Sequence, residues 1–217
     1  MAQNLFIALA GNIGTGKTTA AEMIANAFGY DLFMEPVVEN RFLKSYYSDM
    51  ARWSFTLQME FLLKRIEHQT EIARTGRACV QDRSLIEDPE VFAKYLHGLG
   101  HMTQPELSLY YDYFARLHKD VRQPDKIVLL HTPEVNVLLK RIAQRGREEE
   151  RGITSSFLKG LNSYYETFAT VARQKYNYDV LAVDVTALDI RQEPGRTEFL
   201  SQVETFMQTG TSNELPF

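Results

Sequence analysis

The stretch GNIGTGKTT has the residue types and the spacing of a phosphate-binding loop. Gly11, Gly16, Lys17 and Thr18 satisfy the pattern G-x-x-x-x-G-K-[ST], directly after an apolar run. Glycines let backbone N–H groups surround a phosphate, which then lies at the N-terminus of the following helix. The lysine binds the outer phosphates and the threonine hydroxyl binds Mg²⁺. The predicted nucleotide-binding residues are Gly11, Asn12, Ile13, Gly14, Thr15, Gly16, Lys17, Thr18 and Thr19.

Two acidic residues follow apolar runs that predict strands. Asp82 ends one run and, with Thr18, could bind Mg²⁺ at the carboxyl edge of a sheet. By itself it fits a helix N-cap or a surface acid equally well. Glu35 ends a second run, where a carboxylate could accept the proton of an attacking hydroxyl. Taken alone, a glutamate there is more often only the polar end of a strand.

Three arginines, Arg141, Arg145 and Arg147, lie in the segment RIAQRGREEERG. Arg141 and Arg145 share one face of a predicted helix, because they are four residues apart. Such a segment is commonly a solvated charged surface. In a chain with a phosphate loop, however, it can be a mobile lid whose arginines stabilise the phosphoryl group during its transfer. We favour the lid.

The composition limits the class of protein. The chain has 217 residues, a formal net charge of −4 and one cysteine, Cys79. This charge gives no overall attraction to a nucleic acid polymer or to an anionic membrane. A single cysteine excludes an intrachain disulfide, and we find neither a signal peptide nor an apolar run of transmembrane length. We expect a soluble cytoplasmic protein and leave an organelle address open.

Short apolar runs alternate with longer segments of helical period, the pattern of a parallel sheet covered by helices. The predicted strands are Leu5–Ala10, Asp31–Met34, Ala78–Asp82, Lys126–His131 and Asp179–Val183. The predicted helices are Lys17–Phe28, Arg52–Thr75, Pro89–Gly98, Gln104–Val121, Pro133–Gln144, Ser155–Lys175 and Glu198–Met207. We therefore predict an α/β fold of the phosphate-loop NTPase type, with a five-stranded parallel sheet flanked by helices and an arginine-rich lid. Residues 1–209 would form a single domain, and residues 210–217 a flexible tail.

Four segments, in this order along the chain, resemble the deoxyribonucleoside kinases, the family of deoxycytidine, deoxyguanosine and deoxyadenosine kinases. They are the phosphate loop, Glu35-Pro36-Val37, Asp82-Arg83-Ser84 and the arginine-rich segment. The similarity runs from about Leu5 to Tyr176. It implies that ATP, with Mg²⁺, donates its γ-phosphate to the 5′-OH of a deoxynucleoside. It also implies a homodimer, which is common in the family.

The resemblance implies catalytic roles for particular residues. Glu35 is similar to the base that activates the 5′-OH, and Arg83 to the arginine that hydrogen-bonds this hydroxyl and helps to hold the base. Asp82 stands where many animal members have glutamate, which slightly alters its expected part in positioning Mg²⁺. The predicted catalytic residues are Glu35, Arg83, Lys17, Arg141, Arg145 and Arg147, and the predicted metal ligands are Thr18 and Asp82.

Further residues resemble those that bind the nucleoside. Tyr47 and Glu150 are similar to the pair at the sugar 3′-OH, and Glu149 would take over from Glu150 if the register slips by one residue. Phe92 is similar to an aromatic residue that stacks on the base, although ordinary helix core explains it equally well. The chain departs from the family at Asn40, where an aromatic residue is frequent.

Gln58, Arg65 and Asp88 bear on the choice of base. Gln58 resembles the glutamine that hydrogen-bonds the edge of the base. Its side-chain amide can both donate and accept a hydrogen bond. Arg65 and Asp88 stand where the branch acting on deoxycytidine and purine deoxynucleosides has an arginine–aspartate pair. The alternative interpretation is that they form a surface ion pair, which contributes little to stability. We expect deoxyadenosine first, with deoxyguanosine or deoxycytidine also possible. The predicted substrate-binding residues are Glu35, Tyr47, Gln58, Arg65, Arg83, Asp88, Phe92 and Glu150.

Other functions remain as alternatives. Another small-molecule kinase, such as a nucleoside monophosphate kinase, would need additional arginines for the phosphate of its acceptor. A GTPase would need an N/T-K-x-D motif, and Asn177-Tyr178-Asp179 lacks the lysine. A non-catalytic nucleotide-binding regulatory subunit would lack the base or the lid arginines, and this chain has both.

Overall fold

The computed structural model describes residues 4–34 and 40–209, apart from the side chain of Glu149. Five strands form one sheet in the order β2-β3-β1-β4-β5, and every neighbouring pair is parallel. The strands are β1 (Phe6–Gly11), β2 (Asp31–Phe33), β3 (Cys79–Gln81), β4 (Lys126–His131) and β5 (Asp179–Asp184). The predicted α/β fold with a five-stranded parallel sheet is confirmed.

Helices lie on both faces of the sheet. The α-helices are α1 (Lys17–Phe28), α2 (Leu43–Ser48), α3 (Met50–Thr75), α4 (Lys94–Gly98), α5 (Gln104–His118), α6 (Val135–Arg145), α7 (Ser155–Tyr176) and α8 (Gly195–Thr209). A π-helical segment, Asp88–Ala93, precedes α4, and a 3-10 turn, Glu148–Gly152, lies between α6 and α7. Within the described residues, no helix is both long and apolar enough to cross a membrane.

Alternating side chains of the strands enter two separate cores. On one face, Ile7 and Leu9 of β1 pack with residues of α1 and α8. On the other, Phe6 and Ala8 pack with residues of α3, α5 and α7. Strand β1 is buried along its whole length because helices cover both faces, as is usual for a parallel sheet. This rigid centre fixes the carboxyl edge of the strands, where the phosphate loop begins.

Several element boundaries differ from the sequence prediction. Helix α2 was not predicted, because six residues with little periodicity carry a weak signal, and it is held by packing on α3. Helix α6 begins at Val135 rather than Pro133, and the Thr132 hydroxyl accepts a hydrogen bond from the Glu134 N–H just before it. The segment that begins at Pro89 is π-helical in its first part, a conformation that periodicity does not reveal.

Candidate active site

A cavity of about 430 Å³ opens at the carboxyl edge of the sheet. Within the described part of the chain, every predicted site residue except Gly11 and Asn12 contributes to its lining. We call the phosphate loop, residues 11–19, the donor half. We call the side chains contributed by α2, α3, the π-helical segment and the 3-10 turn the acceptor half. The two halves face one cavity, whose volume suits small-molecule ligands.

The predicted base Glu35 lies outside the described residues, as do Pro36 and Val37. Strand β2 ends at Phe33, whose carbonyl accepts a hydrogen bond of 2.8 Å from the Asp82 N–H. Met34, the next residue, lines the cavity and is partly exposed.

At two positions, the backbone of the donor half requires glycine. Gly11 has φ 144°, and a Cβ there would lie 2.3 Å from the carbonyl oxygen of Leu130. Gly14 has φ 85°, and a Cβ would lie 2.9 Å from the carbonyl oxygen of Leu138. Positive φ and close backbone approach both favour glycine. Gly11 and Gly14 thus allow the loop to fit tightly between β4 and α6.

Lys17 is buried within the donor half. Its Nζ donates hydrogen bonds to the carbonyl oxygens of Gly11, at 2.7 Å, and of Asn12, at 3.1 Å. The Thr15 hydroxyl also donates to the Asn12 carbonyl, at 2.9 Å. Helix α1 begins at Lys17, and its first residues line the cavity, where the helix dipole favours an anion. The geometry and charge of these groups suit the binding of a phosphate group.

Thr18 and Asp82 fit the requirements of a magnesium site. The Thr18 hydroxyl donates a hydrogen bond of 2.6 Å to Asp82 Oδ2. Asp82 is buried, and among residues 4–34 and 40–209 its Oδ1 has no hydrogen-bond partner. Mg²⁺ prefers hard oxygen ligands and is usually held by one or two protein side chains together with phosphate and water oxygens. The buried carboxylate and the hydroxyl beside the phosphate loop supply such ligands.

The arginines of the predicted lid lie at one side of the cavity. Arg141 donates to the carbonyl oxygens of Thr15 and Val185, so it already contacts the phosphate loop. Burial and the neighbouring Arg191 lower the pKa of Arg141 below its ordinary value. Arg145 donates to both carboxylate oxygens of Glu150, which is buried.

Arg147 completes this arrangement, since its guanidinium lies 3.4 Å from Glu150 Oε1. Glu150 therefore holds two of the three arginines on the cavity wall through ion pairs. The structure brings these side chains together with the donor half, and lid motion stays a prediction.

The acceptor half contains a buried ion pair. Arg65 donates to Asp88 through two nitrogens, with 3.0 Å between Nη2 and Oδ1. Their side chains are 3% and 2% exposed, so they do not form a weak surface pair. Gln58 lies on α3 two turns before Arg65 and is also buried. Its Oε1 has no hydrogen-bond partner among the described residues. A ligand with polar edges would satisfy that oxygen.

Aromatic and apolar side chains surround these polar groups. The Arg83 guanidinium lies 4.6 Å from the centre of the Phe92 ring, a cation–π contact at the cavity wall. Tyr47 lines the same cavity. The sequence interpretation missed the further apolar lining by Leu57, Phe61, Leu96 and Phe157. Helical spacing marks such residues as buried but does not distinguish a cavity wall from closed core.

Two charged residues at the site were also missed. Arg191, in the segment after β5, lines the cavity and forms an ion pair of 2.8 Å with Asp189. Glu87 is fully buried and accepts hydrogen bonds from the N–H groups of Gly11 and Ser84. Burial raises the pKa of Glu87, although Arg83 and Lys17 act against that rise. The available signal was weak: a glutamate four residues after Arg83, with two further acids, Asp88 and Glu90, close behind it.

Comparisons with known proteins identify the family of the chain. The family model described as deoxynucleoside kinase matches residues 7–208. Deoxyadenosine/deoxycytidine kinase of Bacillus subtilis (strain 168) is 34% identical over 167 residues, covering 76% of this chain and 77% of the relative. Deoxyadenosine kinase of Dictyostelium discoideum is 31% identical over 218 residues, covering 96% and 88%.

A solved structure extends the agreement to three dimensions. The structure of deoxyadenosine kinase from M. mycoides with bound dATP has a TM-score of 0.77 and 26% identity to this chain. The alignment covers 94% of this chain and all of the other. A phosphate loop, a cavity of nucleoside size and these similarities lead to one conclusion: the chain belongs to the deoxynucleoside kinase family.

Proposed function

We propose that the protein transfers the γ-phosphate of ATP to the 5′-OH of 2′-deoxyadenosine in nucleotide salvage, and accepts deoxyguanosine or deoxycytidine less well. The observation that carries this choice is the buried Arg65–Asp88 pair, which lies in one cavity with Gln58 and the phosphate loop. The named activities of the relatives, deoxyadenosine kinase and deoxyadenosine/deoxycytidine kinase, support it.

The chemistry of the acceptor half favours an amino-bearing base. The Gln58 amide can accept from an exocyclic amino group and donate to the adjacent ring nitrogen. Arg65 offers donors and Asp88 offers acceptors, and both are desolvated, so a base that leaves them unmatched is disfavoured strongly. Adenine presents an amino group on one edge and ring-nitrogen acceptors on both. Phe92 would stack on the base face, and Tyr47 with Glu150 would bind the sugar 3′-OH.

The proposed mechanism divides the work between the two halves. Glu35 accepts the proton of the 5′-OH, and Arg83 hydrogen-bonds the same oxygen to orient it. Lys17 and the loop amides hold the donor phosphates, and Arg141, Arg145 and Arg147 stabilise the charge that spreads over the transferring group. Thr18 and Asp82 would hold Mg²⁺, which supplies charge neutralisation to the phosphates. Catalysis then depends mainly on positioning and electrostatics.

One assay tests this proposal. Phosphate transfer from ATP to each of the four deoxynucleosides is measured with a coupled assay, for the wild type and for Arg65→Ala/Asp88→Ala. Deoxyadenosine should give the highest kcat/KM in the wild type. The double variant should lose this preference and shift towards thymidine, while a base preference that does not change would remove the pair from the base site.

We further propose a homodimer in the cytoplasm, with residues 1–209 as a single domain. Leu63 of α3 and Leu109 and Tyr113 of α5 are between 46% and 48% exposed on two helices that pack against each other. Burial of this surface in a symmetric contact would remove apolar area from water. Sedimentation analysis of Leu109→Lys against the wild type tests the dimer, since a charge in that contact should favour the monomer.

A further inference from the structure

We propose that Glu87 is a positioning residue, which fixes the phosphate loop and Arg83 in their relative places. Neither the sequence interpretation nor the family resemblance gave this residue a role. The inference rests on the proposed part of Arg83 in orienting the acceptor hydroxyl.

Glu87 receives hydrogen bonds from three separate parts of the fold. Its Oε1 accepts from the Gly11 N–H at 2.9 Å and from the Tyr165 hydroxyl at 2.6 Å. Its Oε2 accepts from the Ser84 N–H at 2.8 Å. These donors belong to the phosphate loop, to helix α7 and to the segment that follows β3. One buried carboxylate, 0% exposed, therefore ties the three together.

The register of the sheet explains why the loop needs this carboxylate. Strand β1 pairs with β3 only as far as Ala8 and Gln81, whereas its pairing with β4 continues to Gly11 and Leu130. Beyond Gln81 the pairing with β1 ends, so among the described strands β3 offers no carbonyl to the Gly11 N–H. An unpaired buried N–H group is strongly disfavoured. The Glu87 carboxylate takes the place of the missing strand at the start of the phosphate loop.

The same carboxylate supports an unfavourable conformation at Arg83. Arg83 has φ 80°, in the left-handed region that residues other than glycine rarely adopt. Such a conformation persists only where the surroundings hold it, and it concentrates at functional sites. Glu87 binds the backbone N–H that directly follows Arg83, and its Oε1 lies 3.8 Å from the Arg83 guanidinium. Backbone and side chain of the arginine are thus both held from one point.

The consequence concerns the geometry between donor and acceptor. Gly11 opens the loop that holds the donor phosphates, and Arg83 is the proposed partner of the acceptor hydroxyl. If Glu87 holds both, its loss alters their separation while leaving the nucleoside-binding side chains Gln58, Arg65 and Asp88 in place. A displacement of the order of 1 Å between reacting groups can lower a rate about 100-fold. A purely structural buried acid would instead affect stability and leave turnover by the folded enzyme unchanged.

The test is Glu87→Gln, with Glu90→Gln as a matched control. Glutamine keeps the size of the side chain but turns one acceptor into a donor, so at least one of the three hydrogen bonds is lost. Glu90 is another buried glutamate nearby, in the π-helical segment, but its partners are Lys94, Lys175 and Tyr176.

We expect kcat for deoxyadenosine to fall about 10- to 100-fold in Glu87→Gln, with the KM for deoxyadenosine changed less than about threefold. In Glu90→Gln both constants should stay near the wild-type values even if the melting temperature falls. A kcat in Glu87→Gln that is no lower than in Glu90→Gln would overturn the inference. If Glu87→Gln does not fold, Tyr165→Phe, which removes one donor, decides in its place: a lower kcat at unchanged KM supports the inference, and an unchanged kcat overturns it.

Failure of the proposed function would look different. A wild type that phosphorylates none of the four deoxynucleosides would overturn that function but not the link between Glu87 and the loop. Calorimetric titration with ADP then tests the link without turnover. Weaker ADP binding in Glu87→Gln than in Glu90→Gln supports it, and equal binding overturns it.

Discussion

The donor half is one continuous stretch that offers mainly backbone groups to the cavity, whereas the acceptor half collects side chains from segments far apart in the sequence. Loop glycines, buried Lys17 and the start of α1 form the donor half. On the acceptor side, Arg65 and Asp88 come from α3 and from the π-helical segment. A backbone site recognises the phosphates that all nucleotides share. A side-chain site can be changed one residue at a time, which suits the selection of one nucleoside.

The largest expected effect separates binding in the donor half from the chemistry. Glu35→Gln should lower kcat about 10²- to 10⁴-fold, because an amide cannot accept the proton of the 5′-OH. ADP affinity, measured by calorimetry, should stay near the wild-type value. Asp31→Asn, at the opposite end of β2, serves as the control and should leave kcat intact. Near-normal turnover in Glu35→Gln would remove Glu35 as the base.

The second effect tests the charge pair of the acceptor half. Arg65→Ala leaves the Asp88 carboxylate buried without its partner and should lower the free energy of unfolding by about 3–5 kcal/mol. Arg65→Ala/Asp88→Ala should be more stable than Arg65→Ala, since the uncompensated charge is gone. Urea denaturation measures both. Arg74→Ala, which breaks an exposed pair with Glu71, should change stability by less than about 0.5 kcal/mol. A double variant that is less stable than Arg65→Ala would contradict this account.

The third effect tests the backbone of the donor half. Gly11→Ala combines an unfavourable φ with a contact at 2.3 Å to the Leu130 carbonyl. It should destabilise the protein by about 2–4 kcal/mol and weaken ADP binding. Gly29→Ala is the matched control: φ is 69° there, but no atom lies within 4 Å of the added Cβ. It should lower stability by about 1 kcal/mol through strain alone, with ADP binding unchanged. Equal ADP binding in the two variants would show that the close contact at Gly11 does not matter.

The same contrast explains what the sequence could reveal. The donor half was readable because its residues are contiguous and each type has a physical reason. The five strands were found because buried parallel strands form short apolar runs. Glu87 was missed, since its partners at Gly11 and Tyr165 are 76 and 78 positions away in the chain. The π-helical conformation of Asp88–Ala93, where a helix was predicted from Pro89, and the short helix α2 were missed because tertiary contacts, rather than local propensity, maintain them.

The smallest effect concerns Phe92, whose place in the cavity the sequence left undecided between base stacking and core. Its ring lines the cavity and faces the Arg83 guanidinium, so it can contact a base and also help to hold the arginine. Phe92→Leu keeps an apolar side chain but removes the aromatic face, which contributes about 0.5–1.5 kcal/mol beyond burial. If the ring mainly stacks on the base, the KM for deoxyadenosine should rise about 2- to 10-fold at nearly constant kcat. If it mainly holds Arg83, kcat should fall instead.

The control is Phe114→Leu, since Phe114 is a buried phenylalanine of α5. Steady-state kinetics of the two variants distinguish an effect on the site from a loss of core packing. A rise in KM confined to Phe92→Leu would place the base on this ring and extend the acceptor half from polar groups to an aromatic wall.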